Sequence, residues 1–266
     1  MPRPIRSLSI VIPAFNEAPT LAAVVREVLQ SEALALSDTI EVVMVDDCST
    51  DGTGEIIDAL VAGGAAAAGA VDGAERVTFR AVRHTRNQGK GAGLRSGFAA
   101  ATGELVIVQD ADLEYDPRDY GRMLRPLWEG RADVVYGSRF LPSERRVLLF
   151  WHSIGNSLIT LAANAATDLN LSDVETGYKA FRSSVLKQID IESDRFGVEI
   201  ELTAKVAQLD CRIYEVPIAY HGRSYAQGKK ITWKDGVDAL FCIVRFGPAR
   251  RIRQRLMPTT TTRGPT

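Results

Sequence analysis

Asp110 and Asp112 stand one residue apart in the stretch VIVQDADLEYD, residues 106 to 116, which begins as an apolar run and carries four acids in its last seven positions. Two carboxylates at i and i+2, on a turn where a rigid strand stops, can hold a hard divalent cation and leave positions for phosphate oxygens and water. An isolated pair of this kind also arises when one Asp caps a helix and the other is solvated. This pair is not isolated. Asn16 and Glu17 follow a first apolar run, Asp46 and Asp47 a second, and Asn87 to Lys90 a third. Carboxylates gathered so closely repel one another unless a cation sits among them, so the chemistry indicated is a diphosphate held through a metal.

The elements that must position these residues follow from the pattern. LSIVIPA and IEVVMVDD read as strands, separated by a helical pattern through TLAAVVREVL and followed by a helix from about Thr53 to Leu60. The Ala/Gly-rich VAGGAAAAGAVDGAE reads as a variable helix end and loop, RVTFRAVRH as a third strand, GAGLRSGFAAA as a helix and ELVIVQD as a fourth strand. Strands alternating with helices predict an α/β fold with a mostly parallel sheet covered on both faces. In such a fold the ligand crevice lies at the carboxyl ends of the strands, where the candidate residues fall.

Composition narrows the function. With 266 residues, 45% hydrophobic and 24% charged, the chain can bury a sizeable core as one large domain with or without an appendage. A formal net charge of -1 argues against a nucleic-acid partner, though it leaves room for a local basic patch. Cys48, Cys211 and Cys242 are far apart and lack zinc-site spacing, which suits a reducing cytoplasm. The opening MPRPIRSLSIVIPAFNE has an apolar run too short for a signal peptide and broken by Pro13, as expected of a first strand and its turn.

Taken in order, IPAFNE (12 to 17), VDDCSTDGT (45 to 53), RNQGKGAGLRSG (86 to 97), QDADLE (109 to 114) and GSRF (137 to 140) resemble the GT-A fold of family 2 glycosyltransferases. The closer resemblance is to polyprenyl-phosphate sugar synthases of the dolichyl-phosphate mannose synthase type. It extends through TGYKAFR (176 to 182), FGVEIELTAKVA (196 to 207) and HGRSYAQGKK (221 to 230). It implies a Rossmann-like GT-A domain over residues 1–230; the residues beyond read as an amphipathic and basic membrane-proximal helix over 231–256 and a disordered tail over 257–266.

Carried over residue by residue, the resemblance implies that Pro13, Phe15, Glu17, Val45 and Asp47 hold the nucleoside of a GDP-mannose or UDP-hexose donor. Asp110, Ala111 and Asp112 lie at the diphosphate, with Asp110 and Asp112 binding Mg2+ or Mn2+. Glu114 stands as a third metal ligand where the family often has Gln. Arg139, Arg223 and Lys229 clamp phosphates. For Arg139 an ion pair with a neighbouring carboxylate is the alternative, and for Phe15 a place in the core. Lys90, between two glycines, reads equally as part of a phosphate-facing loop or as a solvated charge on a turn.

On the acceptor side, residues 147 to 167 form a run without formal charge apart from what His152 carries. Its length alone allows a membrane span. Ser153, Asn156, Thr160, Asn164 and Thr167 nonetheless recur every three or four residues as a polar stripe, which predicts an interfacial or partly buried helix; a plain core helix is the alternative. In the resembled synthases this region meets the lipid phosphate, often through an Arg four residues before a Ser. That position is Leu149 here, which leaves Arg146, His152 and Ser153 as the acceptor-phosphate candidates.

A lipid phosphate monoester, with a second pKa of about 6, is largely dianionic at neutral pH and attacks an anomeric carbon without a general base. The resemblance therefore implies inverting transfer by direct displacement, with the metal, Arg223 and Lys229 neutralising the leaving group and Asp112, Arg139 and Asp173 as the catalytic residues. Asp173 orients a hydroxyl, serves as an acceptor-side base, or caps a helix. The apolar stretch and arginine cluster near the end (Arg245, Arg250, Arg251, Arg253, Arg255) predict a peripheral enzyme on the cytoplasmic face of a membrane. Two other readings stay open: a related enzyme with a soluble or polysaccharide acceptor, and a non-catalytic module that binds nucleotide sugars.

Overall fold

A computed structural model describes residues 5–69, 73–141, 150–195, 197–222 and 233–247. Strand β1 (Ile5–Ala14) is an unbroken apolar run because both of its faces are covered. Its Leu8, Ile10 and Ile12 share one core with Val42 and Met44 of β2 (Ser37–Asp46) and with Leu105 and Ile107 of β4 (Leu105–Val108). Val11, Val43, Val45, Val106 and Val108, the alternate residues of the same strands, belong to a second core on the other side. A sheet sandwiched between helices requires this alternation within continuous apolar strands.

The first core is closed by α1 (Leu21–Leu29), the short α2 (Ala33–Leu36), α3 (Thr53–Ala67) and α5 (Tyr120–Trp128). The second is closed by α4 (Lys90–Ala100), α6 (Phe150–Thr167), α8 (Val198–Gln208) and α9 (Trp233–Phe246), with α7 (Ser183–Leu186) at its margin. Helix α3 continues past Leu60 into the Ala-rich segment, whose alanines favour helix, although Gly64 at φ 57° interrupts it.

The seven strands lie in the order β3-β2-β1-β4-β6-β5-β7, where β3 is Val77–Arg83, β5 Val134–Ser138, β6 Lys179–Arg182 and β7 Ile213–Pro217. All pairings are parallel except those of β6, which runs antiparallel to both β4 and β5. The mostly parallel sheet with helices on both faces is the expected fold class. Two features of the order place the site. The chain leaves β1 toward β2 on one side and toward β4 on the other, which opens a crevice at their carboxyl ends. Because β6 is reversed, its start shares that edge, and the loop from Ser172 to Gly177 is delivered to it.

Candidate active site

The Asp110–Asp112 turn is held by a lysine from another element. Lys90, the first residue of α4, places Nζ 2.8 Å from Asp110 Oδ1 and 3.3 Å from Oε1 of Glu199, in the first turn of α8. Glu199 also pairs with Lys179 at the start of β6, and the Lys179 ammonium donates to the carbonyls of Val174 and Thr176. A buried chain of alternating charge, Asp110–Lys90–Glu199–Lys179, thus runs from the strand end into the second core. Burial pushes the Glu199 carboxyl up, but the ammonium groups of Lys179 and Lys90 outweigh it and hold the group below the usual range. For Lys90, burial is likewise outweighed, by Asp110 and Glu199, and the ammonium is held above its ordinary value.

Asp110 is pushed up by burial, pulled down by Lys90 and pushed up again by Asp112, with a net rise. Two hard carboxylates one residue apart that repel each other suit a divalent cation whose remaining ligands come from phosphate and water. Glu114 is turned elsewhere: its Oε2 accepts from the Tyr220 hydroxyl at 2.7 Å and its carbonyl from the His221 N–H at 2.8 Å. Among the described residues no three acidic, histidine or cysteine side chains are gathered closely enough to hold a metal by themselves.

On the β1–β3 side, polar side chains tie the loops together. Asn16, with φ 54°, accepts from Thr50 N–H through Oδ1, and its own N–H donates to Ser49 Oγ. The Glu17 N–H donates to Thr53 Oγ1. Asp47 accepts from the N–H groups of Gln88 and Gly89 at 2.8 and 2.7 Å and meets His84 Nδ1 at 2.6 Å, so its carboxylate shapes the turn before α4. His84 continues to Ser96 Oγ. Pro13 is half-buried and Phe15 is exposed at the rim rather than placed in the core, whereas Glu17 is buried and Val45 and Ala111 are built into the two cores.

Across the crevice, Arg139 follows β5 and makes a two-pronged pair with Asp173, Nε to Oδ2 at 2.6 Å and Nη2 to Oδ1 at 2.7 Å. Its guanidinium also donates to Asn156 Oδ1 of α6 at 3.1 Å and lies over the Tyr220 ring at 5.1 Å. The ion-pair alternative for Arg139 is the arrangement observed, and Asp173, fully buried, is its partner rather than a helix cap. The polar stripe of α6 faces the protein. Asn156 reaches Arg139, Thr160 Oγ1 accepts from the Val174 N–H, and Asn164 exchanges two hydrogen bonds with Leu171. Its apolar residues Phe150, Trp151, Ile154, Leu158 and Leu161 are exposed, and Leu240, Phe241 and Val244 of α9, which packs on α6, are exposed as well. This is the reverse of an ordinary surface helix.

The structure therefore brings Asp110, Asp112, Arg139, Asp173, Phe15 and Asp47 to one sheet edge, with His152 and Ser153 half-buried at the start of α6. Arg146, Arg223 and Lys229 lie outside the described residues, as do Arg250, Arg251, Arg253 and Arg255; Arg245 pairs with Glu192 at 2.8 Å. His84, Lys179 and Glu199 carry site contacts that motif spacing did not single out. His84 immediately follows the parallel strand β3, a position that by itself points to the crevice.

Residues 9–190 match the family described as glycosyl transferase family 2. The chain belongs to glycosyl transferase family 2. It is 30% identical over 262 residues to an undecaprenyl-phosphate mannosyltransferase of Micrococcus luteus, a match spanning 92% of this chain and 97% of that protein. It is 28% identical over 264 residues to a polyprenol monophosphomannose synthase of Mycolicibacterium smegmatis, spanning 96% and 90%. Among solved structures, glucosyl-3-phosphoglycerate synthase of Mycobacterium tuberculosis in complex with Mn2+, UDP and glucosyl-3-phosphoglycerate superposes with a TM-score of 0.64 at 21% identity, covering 91% of this chain and 80% of that one. That likeness establishes a shared fold, the GT-A arrangement of this glycosyltransferase family. The family 2 chain is thus a glycosyltransferase, and its strand-end crevice, acidic at Asp110 and Asp112 and cationic at Lys90 and Arg139, is its candidate active site.

Proposed function

We propose that the enzyme transfers a hexose, with inversion, from a nucleoside-diphosphate sugar such as GDP-mannose or a UDP-hexose to a polyprenyl phosphate. It works at the cytoplasmic face of a membrane with Mg2+ or Mn2+. The observation that carries this reading is the reversed face of α6. Asn156 reaches Arg139 and Asp173 inside the crevice while Phe150, Trp151, Ile154, Leu158 and Leu161 face outward, so one helix offers a site for a charged head and a surface for a hydrocarbon chain. The polyprenyl-phosphate acceptors in the names of the Micrococcus and Mycolicibacterium relatives support the same acceptor. The three cysteines are free, as suits a reducing compartment.

Phe15 stacks against the nucleoside from the rim. Asp110 and Asp112 hold the cation, which when bound neutralises charge on the leaving diphosphate. Lys90, 2.8 Å from Asp110, would add its own positive charge on the same side of the crevice. The acceptor phosphate, already an anion, is brought into line by cationic groups at the Arg139 side together with His152, Ser153 and Arg146. Arg223 and Lys229, by the family resemblance, supply further positive charge for the donor phosphates. No residue needs to remove a proton from the nucleophile.

The test is to incubate the purified chain with radiolabelled GDP-mannose, UDP-glucose and other sugar nucleotides, Mg2+ or Mn2+, and polyprenyl phosphate or soluble acceptors. Label should pass into an acid-labile product that extracts into organic solvent, and EDTA should prevent it. Label appearing only in water-soluble products hands the case to the soluble-acceptor reading, and full activity in EDTA removes the metal.

A further inference from the structure

The loop from Ser172 to Gly177 lies between the two halves of the crevice, and its residues are tied down at both ends. The N–H groups of Ser172 and Asp173 donate to Glu215, Asp173 pairs with Arg139, and the Val174 N–H donates to Thr160. Farther along, the carbonyls of Val174 and Thr176 accept from Lys179, and the Gly177 N–H donates to the Tyr115 hydroxyl at 2.9 Å. Asp173, Val174 and Thr176 have no solvent exposure. Glu175 differs from all of these: it is half-buried and makes no hydrogen bond or ion pair among the described residues.

Its position is fixed by its neighbours. At Gly177 the backbone presses on the acidic turn so closely that a Cβ there would sit 2.7 Å from Asp110 Oδ2 and 2.8 Å from Lys90 Nζ. Two residues in the other direction from Glu175, Asp173 grips Arg139. Since two residues span at most about 7 Å of chain, Glu175 stands within one sugar ring's reach of both the leaving-group side and the acceptor side. In a direct displacement the sugar lies between those two sides. A carboxyl at that place repels phosphate on either side and suits the hydroxyls of the ring between them.

We propose that Glu175 binds a hydroxyl of the transferred sugar and sets which sugar the enzyme accepts. The proposal rests on the donor-crevice reading above. The charges around Glu175 fit the role. Burial, reinforced by the carboxylates of Glu199 and Asp173 and opposed by Arg139 and Lys179, pushes its carboxyl up to about 7. Near neutral pH such a group both donates and accepts, which matches a hydroxyl in either orientation.

The experiment uses the full chain with Mn2+. The affinities of GDP and UDP, and the kcat/KM for the sugar nucleotide turned over fastest and for its deoxy analogues, are measured for the wild type, Glu175→Ala and Glu175→Gln. The expected result is unchanged nucleotide affinity for both variants. Glu175→Ala should lose about 10- to 100-fold of the discrimination between the sugar and one deoxy analogue, and Glu175→Gln should retain part of it. Discrimination unchanged in Glu175→Ala overturns the proposal, as does an equal loss of affinity for the bare nucleotide, and both leave the donor site standing. A wild-type chain that binds neither nucleotide removes the donor site and the proposal with it.

Discussion

Lys90 Nζ lies between Asp110 and Glu199, 2.8 Å from one carboxylate and 3.3 Å from the other, and so joins the acidic strand end to helix α8. Removing one partner of a buried charge cluster is costly because the remaining charges lose their compensation. Lys90→Met should therefore destabilise the fold by about 3–5 kcal/mol. Adding Asp110→Asn should recover part of that loss, since Asp110 is the carboxylate left without an internal cation, whereas Glu199 keeps its pair with Lys179. Urea unfolding of the two variants checks this, and equal midpoints for the single and double variants would sink it. Added Mn2+ should also raise the melting temperature of Lys90→Met more than that of the wild type, because Asp110 then lacks its internal cation.

Asp112→Asn separates the site from the scaffold. Asp112 is half-buried at the crevice and belongs to neither core, so its substitution should leave the melting temperature within a few degrees while lowering turnover by orders of magnitude. A variant that keeps most of its kcat, or one that no longer folds, contradicts the assignment of Asp112 to the leaving-group side.

Much of this arrangement was legible in the residues. The apolar runs of β1, β2 and β4 announced buried parallel strands, and the acids at their ends marked the crevice, because strand period and strand ends are local properties. What escaped was long-range. Glu199 is more than eighty residues from Asp110, and only the packing of α8 beneath the sheet brings it to Lys90. The stripe Asn156, Thr160 and Asn164 was visible at helical spacing, but spacing does not say which face meets the protein. That was decided by hydrogen-bond partners on the loop after α6. Asp47 stands where nucleoside contact was expected, yet its carboxylate is engaged by the turn at Gln88 and Gly89, a commitment no local pattern records.

Acid should weaken the far end of the sheet in a defined window. Asp133 accepts three hydrogen bonds from Arg212 across the start of β5 and β7, and this pairing holds its carboxyl down at about 2. A depressed carboxyl contributes stability above its unfolded value of about 3.9 and loses it as pH falls toward the folded value. With the pair partly open to solvent, Asp133→Asn should cost about 1–2 kcal/mol at pH 7. The difference from wild type should hold down to about pH 4 and shrink toward pH 2. Unfolding curves across that range test it; a gap that widens in acid is the wrong sign.

The outward apolar face of α6 and α9 should bind a bilayer. Trp151 is 79% exposed, Phe241 64% and Val244 73%, a concentration of apolar surface that water does not favour. Burying one such side chain in the interfacial region is worth roughly 1.5 kcal/mol or more, so Trp151→Gln and Phe241→Gln should each weaken binding to anionic vesicles about tenfold. Deleting residues 250–266, with five arginines, should act differently. It should flatten the dependence of binding on salt, since charge attraction to the surface is screened beyond about 8 Å at physiological ionic strength, while the apolar contribution persists. In transfer assays the glutamine variants should lose activity toward long-chain polyprenyl phosphate and keep the slow hydrolysis of donor by water, because the donor crevice is untouched. Glutamine variants that sediment with vesicles as the wild type does would show that this face meets something other than lipid.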